Sequence, residues 1–239
     1  MTKNDWLEAL KKIVFVMLSY VFLGLAAGIA LQEAGLSPLQ TTAMSTLAFT
    51  GSGQFLAASM LAEGAPIASI ILLTFFLNLR FSLMTSAMTP FLKGKSTAFT
   101  LLFTHTTTDE AFGINTYQFN HNEEWTINNA LAANVLAWVT WIASTTTGAL
   151  IGDAISIPTT IINYVMIAMF ISMMIDQMEN RSLVVSGLAS GIIAVFFQAF
   201  FNTKLSIVIG AVAGSAVGYF IGTYRDNRVS MGGESHDDK

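Results

Sequence analysis

Residues 46–60 read TLAFTGSGQFLAASM, an apolar run that breaks off at Thr50-Gly51-Ser52-Gly53-Gln54 and then resumes. Paired glycines let a backbone leave the helical conformation. In a soluble protein that would be unremarkable. At membrane depth, irregular backbone is tolerated only where it is buried in protein or lines a cavity. The reading of these five residues therefore separates a bundle of plain spans from one built around broken helices.

The rest of the sequence puts the stretch in a membrane. Of 239 residues, 53% are hydrophobic and 11% charged, against about a quarter charged in an ordinary soluble domain, and the mean hydropathy is +0.60. Several runs approach the roughly 20 apolar residues that cross a hydrocarbon core of about 30 Å. The net charge is −4 and the basic residues are scattered, so the electrostatic footprint of a nucleic-acid binder is missing and nucleic acid is excluded as a partner. With no cysteine there is no disulfide, thiolate metal site or redox pair. His105, His121 and His236 are too far apart for a local metal motif, and no cofactor is expected. Lys11 and Lys12 ahead of an apolar run mimic a signal peptide, but the further spans downstream favour a retained first helix.

The expected fold is all-α, a single polytopic domain over 1–223 with a polar cytoplasmic tail over 224–239. Helical segments are expected at 13–32, 39–62, 66–92, 96–118, 126–152, 157–178, 182–201 and 203–223. Lys3, Lys11 and Lys12 at one end and Arg225 and Arg228 at the other place both termini inside. Eight plain crossings would leave Lys93 and Lys95 outside. If 39–62 turns back at its glycines, and 96–118 turns back at its own polar centre, the two lysines return inside. About six full spans plus two broken or re-entrant segments thus fit the charges better than seven or eight plain ones.

Three groups of residues are candidates for chemistry. Arg80 has about 18 Å of apolar helix on each side, and a charge at that depth needs a partner or a wet cavity; the alternative is a structural ion pair that fixes packing. Asn78 is two positions away, on another face of an unbroken helix. The break at Thr50, Gly51, Ser52, Gly53 and Gln54 would expose backbone N–H groups at the start of a half-helix near Gln54, a site for a carboxylate; alternatively Gly51 and Gly53 admit a neighbouring backbone. The third group is His105, Asp109 and Glu110 in THTTTDEAF. Thr107 and Glu110 have capping-box spacing for a new helix start. One acid is expected to pair with Arg80 while the other carries protons; otherwise this is a wet surface helix. Hydroxyls at 144–147 are expected to pack helices, Trp6 and Trp125 to anchor at the interface, and Gly210, Gly214 and Gly218 to form a packing face, toward another subunit or not.

Residues 34–81 resemble the AzlC family, the large subunit of two-component AzlC/AzlD branched-chain amino acid exporters. The likeness rests on Gly35-Leu36-Ser37-Pro38-Leu39, on Phe49, Gly51 and Gln54, on Gly64-Ala65-Pro66 and on Asn78-Leu79-Arg80, followed in order by Thr108-Asp109-Glu110-Ala111-Phe112. It implies efflux of branched-chain and other apolar amino acids through the bacterial inner membrane, with a small hydrophobic AzlD-like partner subunit. Phe81 stands where the family commonly has histidine, and the usual first-span proline is missing. The expected site is then Thr50, Gly51, Ser52, Gly53, Gln54, Asn78 and Arg80 for substrate, with Asp109, Glu110 and His105 for proton coupling. An ion channel or a transporter of another small carboxylate are the competing readings, and an intramembrane enzyme ranks last because no nucleophile motif is present.

Overall fold

Thr2 and Asp5 cap one another's backbone N–H groups and start the first helix ten residues earlier than its apolar run. This helix, α1 (Lys3–Glu33), is 31 residues long, about 46 Å at 1.5 Å per residue. It ends where Gly35 adopts φ +95° and Leu36 N–H returns to the Leu31 carbonyl, the left-handed exit that glycine tolerates best. Ser37 and Gln40 then form a second reciprocal cap, with Pro38 in the first turn of α2 (Pro38–Leu47). The order continues with α3 (Gly51–Ala62), α4 (Ile67–Ala87), the single turn α5 (Thr89–Leu92), α6 (Thr97–His105), α7 (Asp109–His121), α8 (Ile127–Ala154) and α9 (Arg181–Phe201).

This computed structural model describes residues 1–154, 181–201, 210 and 212–217, with single helical positions at 164, 167, 168, 171 and 175. Among them there is no strand. The expected segment 157–178, most of 203–223 and the polar tail lie largely or wholly outside the described residues. The chain divides into two compact units, 1–167 and 168–239.

The first unit is organised by the crossing of α1 and α8. A Cβ on Gly28 would collide with the backbone of Thr145 and Ala149, one on Gly24 with Ser144, and one on Gly148 with the backbone of Leu25. Glycine is thus required at both sides of a backbone-to-backbone approach. Hydroxyls reinforce it: Ser144 Oγ donates to the Tyr20 carbonyl at 3.0 Å, and Thr145 and Thr146 of α8 meet Ser45 and Thr42 of α2 at 2.7 and 2.8 Å. The run at 144–147 packs helices, as its composition suggests.

Three described helices, α1, α4 and α8, are long and apolar enough to cross a membrane. The segments expected to be broken are broken: α2 and α3 have 10 and 12 residues, α6 and α7 have 9 and 13. At 1.5 Å per residue each half covers about 13 to 20 Å, too little to cross alone. The first break falls earlier than expected. Helix α3 begins at Gly51, not near Gln54, and the non-helical residues are Ala48, Phe49 and Thr50. Phe49, at φ +37°, takes the left-handed conformation that the glycines were expected to supply. The third segment is not continuous either, since α4 stops at Ala87. Trp125 is buried within the protein.

In the second unit, Cβ atoms on Gly210 and Gly214 would collide with Ser190 and Ala194 of α9. Ser186 Oγ donates to the Gly214 carbonyl at 2.8 Å. At these two glycines the small-residue face therefore packs within the chain; Gly218 lies outside the described residues.

Candidate functional site

Each break leaves a helix start whose first N–H groups need an acceptor, and each start is capped by threonine. Thr50 Oγ1 accepts the Gly53 N–H at 3.3 Å, and Thr108 Oγ1 accepts the Ala111 N–H at 3.3 Å. The second cap is one residue later than the Thr107–Glu110 pattern suggested, because Thr107 Oγ1 donates back to the Phe103 carbonyl at 2.7 Å. Asp109 and Glu110 still occupy the first turn of α7, where the helix dipole favours anions.

Helix α4 connects the two starts. Asn78 and Arg80 are two residues apart and so are Thr50 and Ser52, so the pairs match. Thr50 Oγ1 donates to Asn78 Oδ1 at 2.7 Å, while Arg80 Nη2 donates to Ser52 Oγ at 3.0 Å. The same Nη2 is 3.0 Å from Asp109 Oδ2. Arg80 therefore bridges the head of α3 to the head of α7, and its guanidinium also approaches the Phe81 ring, 5.2 Å from the centroid. Both charged side chains keep some exposure, 22% for Arg80 and 27% for Asp109. Arg80 Nε and Asp109 Oδ1 have no hydrogen-bond partner among the described residues. One donor and one acceptor of the ion pair are thus buried without partners, a cost that a ligand reaching them would relieve.

Glu110 faces the other way. Its Oε2 is 2.7 Å from the hydroxyl of Tyr20 on α1, and that hydroxyl is also 2.8 Å from Thr108 Oγ1. The two adjacent acids thus have different partners, one a cation and one a phenol. His105 joins neither: its Nε2 lies 2.9 Å from the Thr46 carbonyl, and its ring meets Trp138 edge-on at 5.5 Å.

Gln54 is also turned away from Arg80. It is fully buried, its Nε2 donating to Ser45 Oγ at 2.7 Å and its Oε1 accepting the Trp141 indole N–H at 2.6 Å. Gly51 makes room for the same indole, since a Cβ there would lie 3.1 Å from Trp141 Cη2. A Cβ on Gly53 would meet the Thr50 side chain at 2.6 Å and Thr74 Cγ2 at 3.1 Å. The glycines neither break the helix nor admit another backbone; they seat a tryptophan and the capping threonine.

Sequence reasoning missed Tyr20 and Asn115, whose Nδ2 donates to Asn134 Oδ1 at 2.9 Å while Asn134 Nδ2 donates to Thr107 Oγ1 at 3.1 Å; Asn134 and Trp141 in the fifth segment read as packing residues. A signal existed for Tyr20, a phenol near the centre of an apolar span. Another existed for the α1–α8 crossing, where Gly24-Leu25-Ala26-Ala27-Gly28 and Gly148-Ala149-Leu150-Ile151-Gly152 carry the small-residue spacing that was singled out only at 210–218. No cluster of three or more metal-ligating side chains occurs among the described residues.

The chain is similar to the inner membrane protein YgaZ of Escherichia coli K12, 25% identical over 152 residues that make up 63% of this chain and 62% of that protein. The likeness thus spans less than two thirds of YgaZ. It is also similar to an uncharacterized membrane protein of Helicobacter pylori strain J99, 26% identical over 174 residues, 70% of this chain and 75% of the other. No solved structure matches. The model of the AzlC protein family matches residues 16–155, a range that holds Tyr20, both breaks and Arg80, and the chain belongs to that family.

Proposed function

We propose that this protein is the large subunit of a bacterial inner-membrane exporter of branched-chain and other apolar amino acids, driven by protons and completed by a small hydrophobic AzlD-like membrane subunit. The observation that carries this reading is the Arg80 bridge between two half-helix starts, two partly exposed charged side chains with a buried donor on Arg80 and a buried acceptor on Asp109 left unpartnered. Broken helices at a midplane charge are the recurring substrate site of secondary transporters. The substrate carboxylate takes Arg80 with Ser52, Thr50 and Asn78 holding the wall behind it. The substrate ammonium takes Asp109, and apolar neighbours accept the aliphatic tail. Gln54, Gly51 and Gly53 serve by packing, and His105 stands outside the cluster. Glu110 carries the coupling proton.

The test is flux of valine and leucine in proteoliposomes holding this chain with its partner subunit, with and without a pH gradient. Arg80→Ala should abolish flux while the protein remains folded; undiminished flux in that variant would overturn the assignment. Current without saturable amino acid exchange would favour a channel instead. The topology belonging to this reading has about six full spans, two non-crossing broken segments and both termini cytoplasmic. The chain lacks cysteine, so single cysteines placed at Gly94 and near either terminus report sidedness without background. Labelling of Gly94→Cys from outside would refute this topology.

A further inference from the structure

We propose that Tyr20 is a positioning residue for the proton-coupling step, converting the protonation state of Glu110 into a change of hydrogen bonding at the cap of α7. The proposal rests on the transporter reading above and adds a residue that reading does not contain. Tyr20 is buried in the middle of α1, and its hydroxyl lies between two acceptors: Glu110 Oε2 at 2.7 Å and Thr108 Oγ1 at 2.8 Å. It has one proton to give and one oxygen to accept with. While Glu110 is ionised, the phenol O–H points at Oε2. When a proton from the aqueous phase lands on Oε2, the new O–H of Glu110 donates to the phenol oxygen, and the phenol O–H turns to Thr108 Oγ1. No covalent bond other than the new carboxyl O–H is made, and none is broken. Thr108 Oγ1 then accepts from Tyr20 as well as from the Ala111 N–H that it already caps.

Glu110 itself is exposed, and few charged groups lie around it. The stretches 13–32 of α1, 51–62 of α3 and 127–152 of α8 carry no charged residue. Among the described residues, the titratable or charged groups around Glu110 are Tyr20 on α1, Asp109 beside it and Arg80 of α4 paired to Asp109, while His105 at the end of α6 has its Nε2 engaged by Thr46. The ring of Tyr20 also meets Trp141 edge-on, with centroids 5.2 Å apart, and Trp141 holds Gln54 of α3. The phenol therefore stands where the second broken helix touches the packing behind the first.

Tyr20→Phe removes the hydroxyl and keeps the ring against Trp141. In the reconstituted pair, it should lower proton-driven flux about tenfold while leaving the KM for leucine within about twofold and preserving leucine–leucine exchange across the membrane. Its flux–pH profile should superimpose on that of Glu110→Gln and differ from the wild type, and the double variant should be no worse than either single one. A wild-type pH profile in Tyr20→Phe would overturn the proposal, as would equal loss of exchange and driven flux with a raised KM. If the wild type moves no amino acid, the transporter reading fails and infrared spectroscopy decides the matter for Tyr20 alone. The carboxyl or carboxylate band assigned by its loss in Glu110→Gln should shift in Tyr20→Phe, and an unmoved band would refute the contact.

Discussion

Replacing Gln54 with methionine keeps the length of a side chain that is wholly buried while removing its amide. Two hydrogen bonds disappear, with unequal results. Ser45 Oγ keeps Thr145 Oγ1 at 2.7 Å, but the Trp141 indole N–H loses the acceptor it holds at 2.6 Å. Trp141 is itself buried, so an unpaired donor remains with no water to take it. Leaving such a group unsatisfied costs about 1–3 kcal/mol. Hydrogen bonds between membrane helices measure about 0.6 and at most about 1.7 kcal/mol in mutant cycles, so a loss of about 1–2 kcal/mol is expected, a factor of roughly 5–30 in the folding equilibrium. Reversible unfolding in mixed micelles measures it, and the cycle with Trp141→Phe should recover about 1 kcal/mol of coupling. Flux per folded molecule should survive. An unchanged unfolding free energy together with lost flux would refute the packing role and return Gln54 to the substrate.

Further outcomes follow from the same contacts. Gly28→Ala should cost about 1–3 kcal/mol, because the new methyl meets backbone that cannot rotate away, whereas Gly113→Ala, with open space around it, should gain up to about 1 kcal/mol from helix propensity; unfolding midpoints of the two variants give the contrast. Asp109→Ala leaves Arg80 without its counter-ion, so the Arg80→Ala/Asp109→Ala pair should be more stable than Asp109→Ala alone, a reversal readable in the same assay. Thr50→Val should lower stability by about 1 kcal/mol through loss of the α3 cap and also weaken substrate binding, since Asn78 loses its donor; a raised KM for leucine checks the second effect.

What was legible in the sequence was whatever could be read within one segment. The interruption at 50–54, the polar centre at 105–110 and the isolated charge of Arg80 each violate an apolar run, and a violated run is visible locally. The pairing of Arg80 with one of two acids followed from the cost of a lone charge in hydrocarbon. The direction of each side chain was not legible. Gln54 and Ser52 are two positions apart on one helix, so one faces Trp141 while the other faces Arg80, and only the placement of α8 and α4 decides which. Tyr20 and Glu110 are 90 residues apart, and no spacing rule reaches that far. The left-handed Phe49 was concealed by glycines that sit two and four residues later and serve another purpose.

The arginine bridge also sets an electrical condition on whatever enters. Two helix starts contribute about half a positive charge each, the ends of α2 and α6 at the same breaks oppose them by about as much, and Arg80 is met by Asp109, so the empty cluster is close to electroneutral. A zwitterion preserves that balance as it arrives and leaves. A simple monoanionic carboxylate does not, and it could occupy the cluster only by bringing a proton or a cation with it. Discrimination between amino acids and plain carboxylates would then be set by the voltage and pH dependence of uptake as much as by the shape of the cavity.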